Sequence, residues 1–150
     1  MSKIQCTERT WNPVVGYAKL PAACQNCYLT SPRNVILHAD DDSAQRHLSR
    51  ALFENWGFTV FGASSGEEAF KLFVKQHFDV VVLDYRMSGV TGVETASAIR
   101  EVYPAIPIIL YTSEVELPPH ALRCVSRMVQ KAGDPESLRD ALLLLALPCM

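Results

Sequence analysis

The sequence predicts an α/β fold, a parallel sheet covered by helices on both faces. Three observations carry that expectation. Short apolar runs rich in Val, Ile and Phe alternate with helical patterns through most of the chain. Two of these runs, at 80–84 and 106–111, are nearly unbroken, as strands buried on both faces are. Strand–helix alternation of this kind builds βαβ units, and these pair their strands in parallel.

Taken in order, residues 34–39, 59–63, 80–84, 106–111 and 125–129 read as strands. After the first, residues 43–56 carry Leu48, Leu52 and Trp56 at spacing four, with Gly57 suited to stop the helix. Ser65-Gly-Glu-Glu68 has the form of a capping box. It opens a helix with Phe70, Phe73 and Val74 on one side. Residues 90–102 give a third helix, with Ala96, Ile99 and Val102 inward. Pro118-Pro119 confine the next to about 119–123. Asp134 followed by Pro135 is an N-cap with proline at the first helical position. The expected order is the flavodoxin-like, doubly wound 2-1-3-4-5, with a site at the carboxyl ends of strands 1 and 3.

A chain of 150 residues is one domain by default, with enough length for a sizeable core. At 49% hydrophobic and 20% charged it reads as an ordinary globular protein. The net charge of −2 offers no basic stripe, so no nucleic acid is expected. The longest apolar run, 141–147, is too short to cross a bilayer, and the N-terminus lacks a signal-peptide core. No membrane partner is expected. Cys6, Cys24, Cys27, Cys124 and Cys149 are an odd count and read as reduced thiols of a cytoplasmic protein. Residues 1–32 hold three of these cysteines and no sustained period, so a boundary falls near Ser31-Pro32-Arg33. The expected organisation is a flexible tail over 1–32, a folded domain over 33–146 and a short tail over 147–150.

Chemistry gathers at the strand ends. Asp40-Asp41-Asp42 follows the first strand, Asp84 closes the third, Thr112 follows the fourth and Lys131 the fifth. Bringing Asp40, Asp41 and Asp84 into one pocket costs like-charge repulsion. A hard, oxygen-preferring cation such as Mg²⁺ removes that cost. Asp42, or Ser43 beside it, is the natural helix cap of the triplet. Asp84, held at a strand end, can act as a nucleophile. Lys131 supplies a compact point charge for an anionic oxygen, and Thr112 a hydroxyl.

From about residue 33 to 146 these motifs resemble, in order, the receiver domain of two-component response regulators, the chemotaxis regulators among them. The resemblance implies that Asp84 accepts a phosphoryl group from a sensor histidine kinase or phosphotransfer protein. It implies that Asp40, Asp41, Asp84 and the backbone carbonyl of Arg86 hold Mg²⁺, Asp41 more closely and Asp40 partly through water. Thr112 matches the switch hydroxyl and Lys131 the phosphate-contacting lysine. Arg86, Ser113 and Glu114 fall at the pocket rim, where an Arg86–Glu114 ion pair would screen the phosphoryl group. Such a protein is no turnover enzyme beyond its own phosphorylation and slow dephosphorylation. Little chain follows Lys131, so the expectation is a stand-alone receiver acting through a protein contact. The outward side of the apolar 141–147 segment is a candidate partner or homodimer surface.

Some positions depart from that pattern. Ser88 and Ala132 stand where the family has proline, and Met128 where it has Tyr or Phe. The stretch from Thr112 to Lys131 is short. The acceptor chemistry is therefore better supported than the output mechanism, and a pseudo-receiver scaffold is one rival. A Mg²⁺-dependent phosphatase-like hydrolase would need a second acid where Arg86 stands. A flavodoxin-type cofactor binder would need a glycine- and hydroxyl-rich loop where the aspartates stand. His38 reads as a neutral core histidine, and His47, His77 and His120 show no ligand spacing. Residues 10–16 and 24–28 resemble the opening of a phage-associated radical-SAM-like family, with Tyr17 in place of a cysteine. Cys24-x-x-Cys27 is half a zinc site.

Overall fold

The computed structural model describes residues 34–146. The readings of residues 1–32, with Cys24 and Cys27, and of 147–150 lie outside the described residues. Ten elements alternate: β1 (Val35–Ala39), α1 (Ser43–Asn55), β2 (Thr59–Ala63), α2 (Gly66–Lys75), β3 (Val80–Leu83), α3 (Gly92–Val102), β4 (Ile108–Thr112), α4 (Pro119–Arg123), β5 (Arg127–Gln130) and α5 (Pro135–Ala146). The strands form one parallel sheet in the order β2-β1-β3-β4-β5, as the alternation predicts.

Period-two side chains divide the core between two faces. Leu37, Val81, Leu83, Ile108 and Leu110 meet Phe73 of α2, Ala96 and Ile99 of α3 and Ala121 of α4. Ile36, Val80, Val82 and Ile109 meet Phe53 of α1 and Leu138 and Leu142 of α5. Both faces are apolar, which is why β3 reads as an unbroken run. Each fully buried Leu, Ile or Phe contributes roughly 1.5–3 kcal/mol.

The ends of the helices follow local chemistry. Asp42 caps α1 by accepting from Ala44 N and Gln45 N, and Gly57, at φ +95°, supplies the left-handed turn beyond it. Asp134 accepts from Glu136 N at 3.1 Å ahead of Pro135. Ser65 accepts from Glu68 N at 3.1 Å, but the Glu68 carboxylate turns to Ser64 N at 2.8 Å, so that box is only half formed. The complete box is at α3, where Thr91 and Glu94 satisfy one another's amides. It starts α3 at Gly92, two residues later than its hydrophobic pattern suggests.

Three further expectations need correction. The face of α1 turned to the sheet is Ser49 and Phe53, and Leu48 is 67% exposed. A serine beside one fully buried phenylalanine lets α1 lie close to the sheet, and the spacing-four stripe is rotated one position away. Val102 lies at the end of α3 and is exposed, whereas Ala96 and Ile99 are buried. β4 and β5 each begin two residues later than their apolar runs. Val125 instead packs on the core from the loop before β5.

That loop is held by Arg100 of α3. Its guanidinium donates to the carbonyls of Cys124 (3.1 Å), Pro104 (2.7 Å) and Ile106, and to Ser126 Oγ (3.0 Å). On α5, Leu143 and Leu144 face outward, as the run of leucines implies. No helix among the described residues is long and apolar enough to cross a membrane.

Candidate metal centre at the carboxyl ends of the strands

β1 and β3 are paired so that Ala39 lies beside Leu83. The two strands therefore end together, and the next residue of each is an aspartate. Asp84 N donates to Ala39 O at 3.0 Å, and Asp40 N to Ala63 O at 3.1 Å, so both backbones are pinned. Both side chains are buried, Asp40 at 1% and Asp84 at 8% exposure. Asp41 is exposed. One carboxylate oxygen from each of Asp40, Asp41 and Asp84 lies within 4.8 Å of the others.

Lys131 answers this negative charge from the far side of the sheet. Its Nζ sits 2.7 Å from Asp40 Oδ2 and 3.5 Å from Asp84 Oδ1. Burial pushes the Asp84 carboxyl above its ordinary value, Lys131 opposes this, and Asp40 adds to it. Burial alone would lower the Lys131 ammonium; its hydrogen bond to Asp40 and the charge of Asp84 outweigh that and raise it. Asp40 Oδ1 accepts from Asp42 N at 3.0 Å, and Arg46 Nη1 donates to the Asp40 carbonyl at 2.7 Å. The outer acid is held differently. Asp41 Oδ2 accepts from both Ser88 N and Ser88 Oγ, each at 3.0 Å.

Thr112 is the buried last residue of β4, and its carbonyl accepts from Lys131 N at 2.8 Å. Its hydroxyl accepts from Glu114 N at 3.1 Å and keeps a proton of its own to donate. Arg86 and Glu114 form the ion pair at the rim, Arg86 with its side chain 75% exposed. Ser113 is exposed beside them. Met128 packs, partly buried, against the α2–α3–α4 core. One aromatic ring near the site is Tyr111, with Lys131 Nζ 5.8 Å from its centroid.

The segment after Asp84 is shaped by close approach. A Cβ on Gly92 would lie 2.2 Å from the Asp84 carbonyl oxygen, so only glycine lets α3 begin there. Beneath the acids, His38 is 1% exposed and packs edge-on to Phe53 with centroids 5.4 Å apart. Burial lowers its pKa to about 4, so the ring is neutral, as a core histidine should be.

The structure thus brings Asp40, Asp41 and Asp84 within 4.8 Å of one another, sets the Lys131 ammonium against Asp40 and Asp84, and joins Thr112 to Lys131 through the backbone. Arg86 and Glu114 pair above them. Sequence reasoning missed the roles of Arg46, Gly92 and the Ser88 donors. Gly92 closes the segment that follows Asp84, and Ser88 is a visible departure, but neither contact has a local pattern. The donor set is oxygen only, clustered and partly buried, which fits a hard divalent ion such as Mg²⁺.

A 2-1-3-4-5 parallel sheet with aspartates converging past β1 and β3 and a lysine past β5 defines a receiver-type signalling domain. The chain belongs to the response regulator receiver domain family, whose model matches residues 36–143. It is 38% identical over 90 residues to the transcriptional regulatory protein ZraR of Escherichia coli K12, covering 59% of this chain and 20% of ZraR. It is 36% identical over 98 residues to the regulatory protein AtoC of the same organism, covering 64% of this chain and 21% of AtoC. The chain thus spans about a fifth of the length of these curated relatives. Among solved structures it is similar to the response regulator TrrA of Thermotoga maritima in complex with Mg²⁺-BeF. The TM-score there is 0.72 and the identity 29%, over 75% of this chain and 98% of that one. It is also similar to the complex of histidine kinase ThkA with TrrA, at TM-score 0.69 and 30% identity, over 75% and 97% of the chains.

Proposed function

We propose that Asp84 accepts a phosphoryl group from the phosphohistidine of a sensor histidine kinase or phosphotransfer protein, and that the aspartyl phosphate changes the affinity of a protein contact. The observation that carries this reading is the meeting of three carboxylates within 4.8 Å, with Lys131 against two of them. An Asp84 oxygen attacks phosphorus; the O–P bond forms as the donor's N–P bond breaks, and the electron pair returns to the imidazole nitrogen. Lys131 opposes the burial of Asp84 and so favours the charged nucleophile. Its ammonium and the Thr112 hydroxyl then serve phosphoryl oxygens. Asp40, Asp41 and Asp84, with the Arg86 carbonyl, would hold Mg²⁺. When bound, the ion neutralises charge on the transferring group.

The kinase partner is supported by the ThkA–TrrA complex, and Mg²⁺ by the TrrA complex. Arg86, Glu114 and Ser113 set water access at the rim, and with it the phosphate lifetime. A hydrolase reading finds no second acid: the residue two past Asp84 is Arg86, already paired with Glu114. The outward leucines of α5, Leu143 and Leu144, are the proposed contact surface for an output protein or a second copy. Gel filtration with and without a phosphate mimic reads the homodimer, and a monomer in both removes it.

Intact mass after treatment with acetyl phosphate and Mg²⁺ tests the main reading. The protein should gain one phosphate, and Asp84→Ala should gain none. Undiminished uptake in Asp84→Asn rules the acceptor out.

A further inference from the structure

We infer that Ser88 is a positioning residue for the metal: its hydroxyl and its backbone N–H together hold Asp41 in the ligating arrangement. The inference rests on the reading above that Asp40, Asp41 and Asp84 hold Mg²⁺.

The three acids are not placed by the same means. Asp40 and Asp84 stand at strand ends, buried, with the Lys131 ammonium against both. Asp41 has left the strand, is exposed, and has no ion pair among the described residues. A free, exposed carboxylate beside two other acids turns away into water, which relieves repulsion and keeps its rotamers. Asp41 nonetheless lies within the 4.8 Å cluster. The contacts that hold it there are the two from Ser88, 47 residues away on the β3–α3 loop. Both fall on Oδ2, so Oδ1 keeps its lone pairs for a cation. Two neutral donors also withdraw part of the negative charge that the cluster would otherwise face alone.

Ser88 is itself held. Gly89 follows at φ +81°, a left-handed turn, and Gly92 seats the loop against the Asp84 carbonyl. The donors therefore arrive on a backbone fixed to the same strand that carries Asp84. A donor that orients a ligating carboxylate typically changes metal affinity by about 10–100-fold. Each donor can be removed separately: alanine deletes the hydroxyl and keeps the N–H, proline deletes both, and threonine keeps both.

The test is a Mg²⁺ titration of the full chain, followed by amide NMR shifts, for the unaltered protein and for Ser88→Ala, Ser88→Thr and Ser88→Pro. We expect Ser88→Ala to bind Mg²⁺ about tenfold more weakly, Ser88→Pro more weakly still, and Ser88→Thr like the parent. The metal-free melting temperatures of parent, Ser88→Ala and Ser88→Thr should agree. Equal or tighter binding by Ser88→Ala overturns the inference, since the donors would then be idle or in competition with the ion. A drop in Ser88→Thr equal to that in Ser88→Ala also overturns it. If Ser88→Pro fails to fold, the alanine and threonine variants still decide. Absence of Mg²⁺ shifts in the unaltered protein overturns the metal reading itself, an outcome distinct from unequal variants.

Discussion

The ends of β1 and β3 and the ends of β4 and β5 meet at the same edge of one sheet, but they are built differently. On the first, Asp40, Asp41 and Asp84 repel one another and are pinned by backbone pairing, by Asp42 N and by Ser88. On the second, Thr112 and Lys131 are joined through the backbone, and the Lys131 ammonium reaches back to the acids. The acid rim is thus geometrically complete but electrostatically strained, and the opposite rim supplies the counter-charge. Departures in sequence fall on both, with different results. Ser88 adds donors to the acid rim, while Met128 leaves the β5 side without an aromatic side chain at that position.

The sharpest way to break this complementarity is Lys131→Met. It leaves Asp40, 1% exposed, without its cation. Removing one partner of a buried pair costs about 3–5 kcal/mol. Urea unfolding in EDTA should show that loss, and added Mg²⁺ should recover part of it. A variant as stable as the parent in EDTA would show that the acid rim does not depend on the lysine.

Next in size is a pH effect from beneath the acids. The unfolded chain protonates His38 near 6.5 and the folded protein only near 4. Its contribution is therefore fully present above pH 6.5 and is lost as pH falls towards 4. The gap corresponds to about 3 kcal/mol. The charges around the ring are Asp40, which favours protonation, and Lys131 and Arg46, which oppose it. His38→Leu should flatten the stability profile between pH 6.5 and 4, measured without divalent cations. Identical slopes in the two proteins would count against a buried neutral ring.

Two glycines separate packing from placement. Gly92→Ala drives a Cβ to 2.2 Å from the Asp84 carbonyl, and Gly66→Ala drives one to 2.1 Å from Thr95 Oγ1. Overpacking of this kind costs about 1–3 kcal/mol in either case. Only Gly92→Ala should also slow labelling by acetyl phosphate. Equal labelling rates would mean that the start of α3 does not set the position of Asp84. The smallest effect belongs to Arg86→Ala, whose exposed ion pair should leave the melting temperature unchanged. Its dephosphorylation should nevertheless quicken, and an unchanged rate removes the rim pair from any part in phosphate lifetime.

Much of this was legible in the chain. Apolar runs ending in Asp40 and Asp84, and the caps at Asp42 and Asp134, are local patterns, and local patterns survive folding. What escaped was set by tertiary fit. Leu48 shares the periodicity of a core residue, but Phe53 takes the buried position on α1. Thr91-x-x-Glu94 is a capping box in plain sight, yet Val90 before it extends the apolar pattern and blurs the start. The reach of Ser88 to Asp41 and of Lys131 to Asp40 spans 47 and 91 residues, and no period or spacing records a contact of that kind.

Arg100 fastens the approaches to β4 and β5 at the end of the sheet away from Thr112 and Lys131. With that end clamped, those two strands resemble a pair of reeds fixed at the base. A displacement begun at their tips would be taken up by the upper connections, the 113–118 link and the turn into α5, rather than at the clamped end. Changing Arg100 would loosen the anchorage against which such a movement is levered, without touching a single group in the hollow.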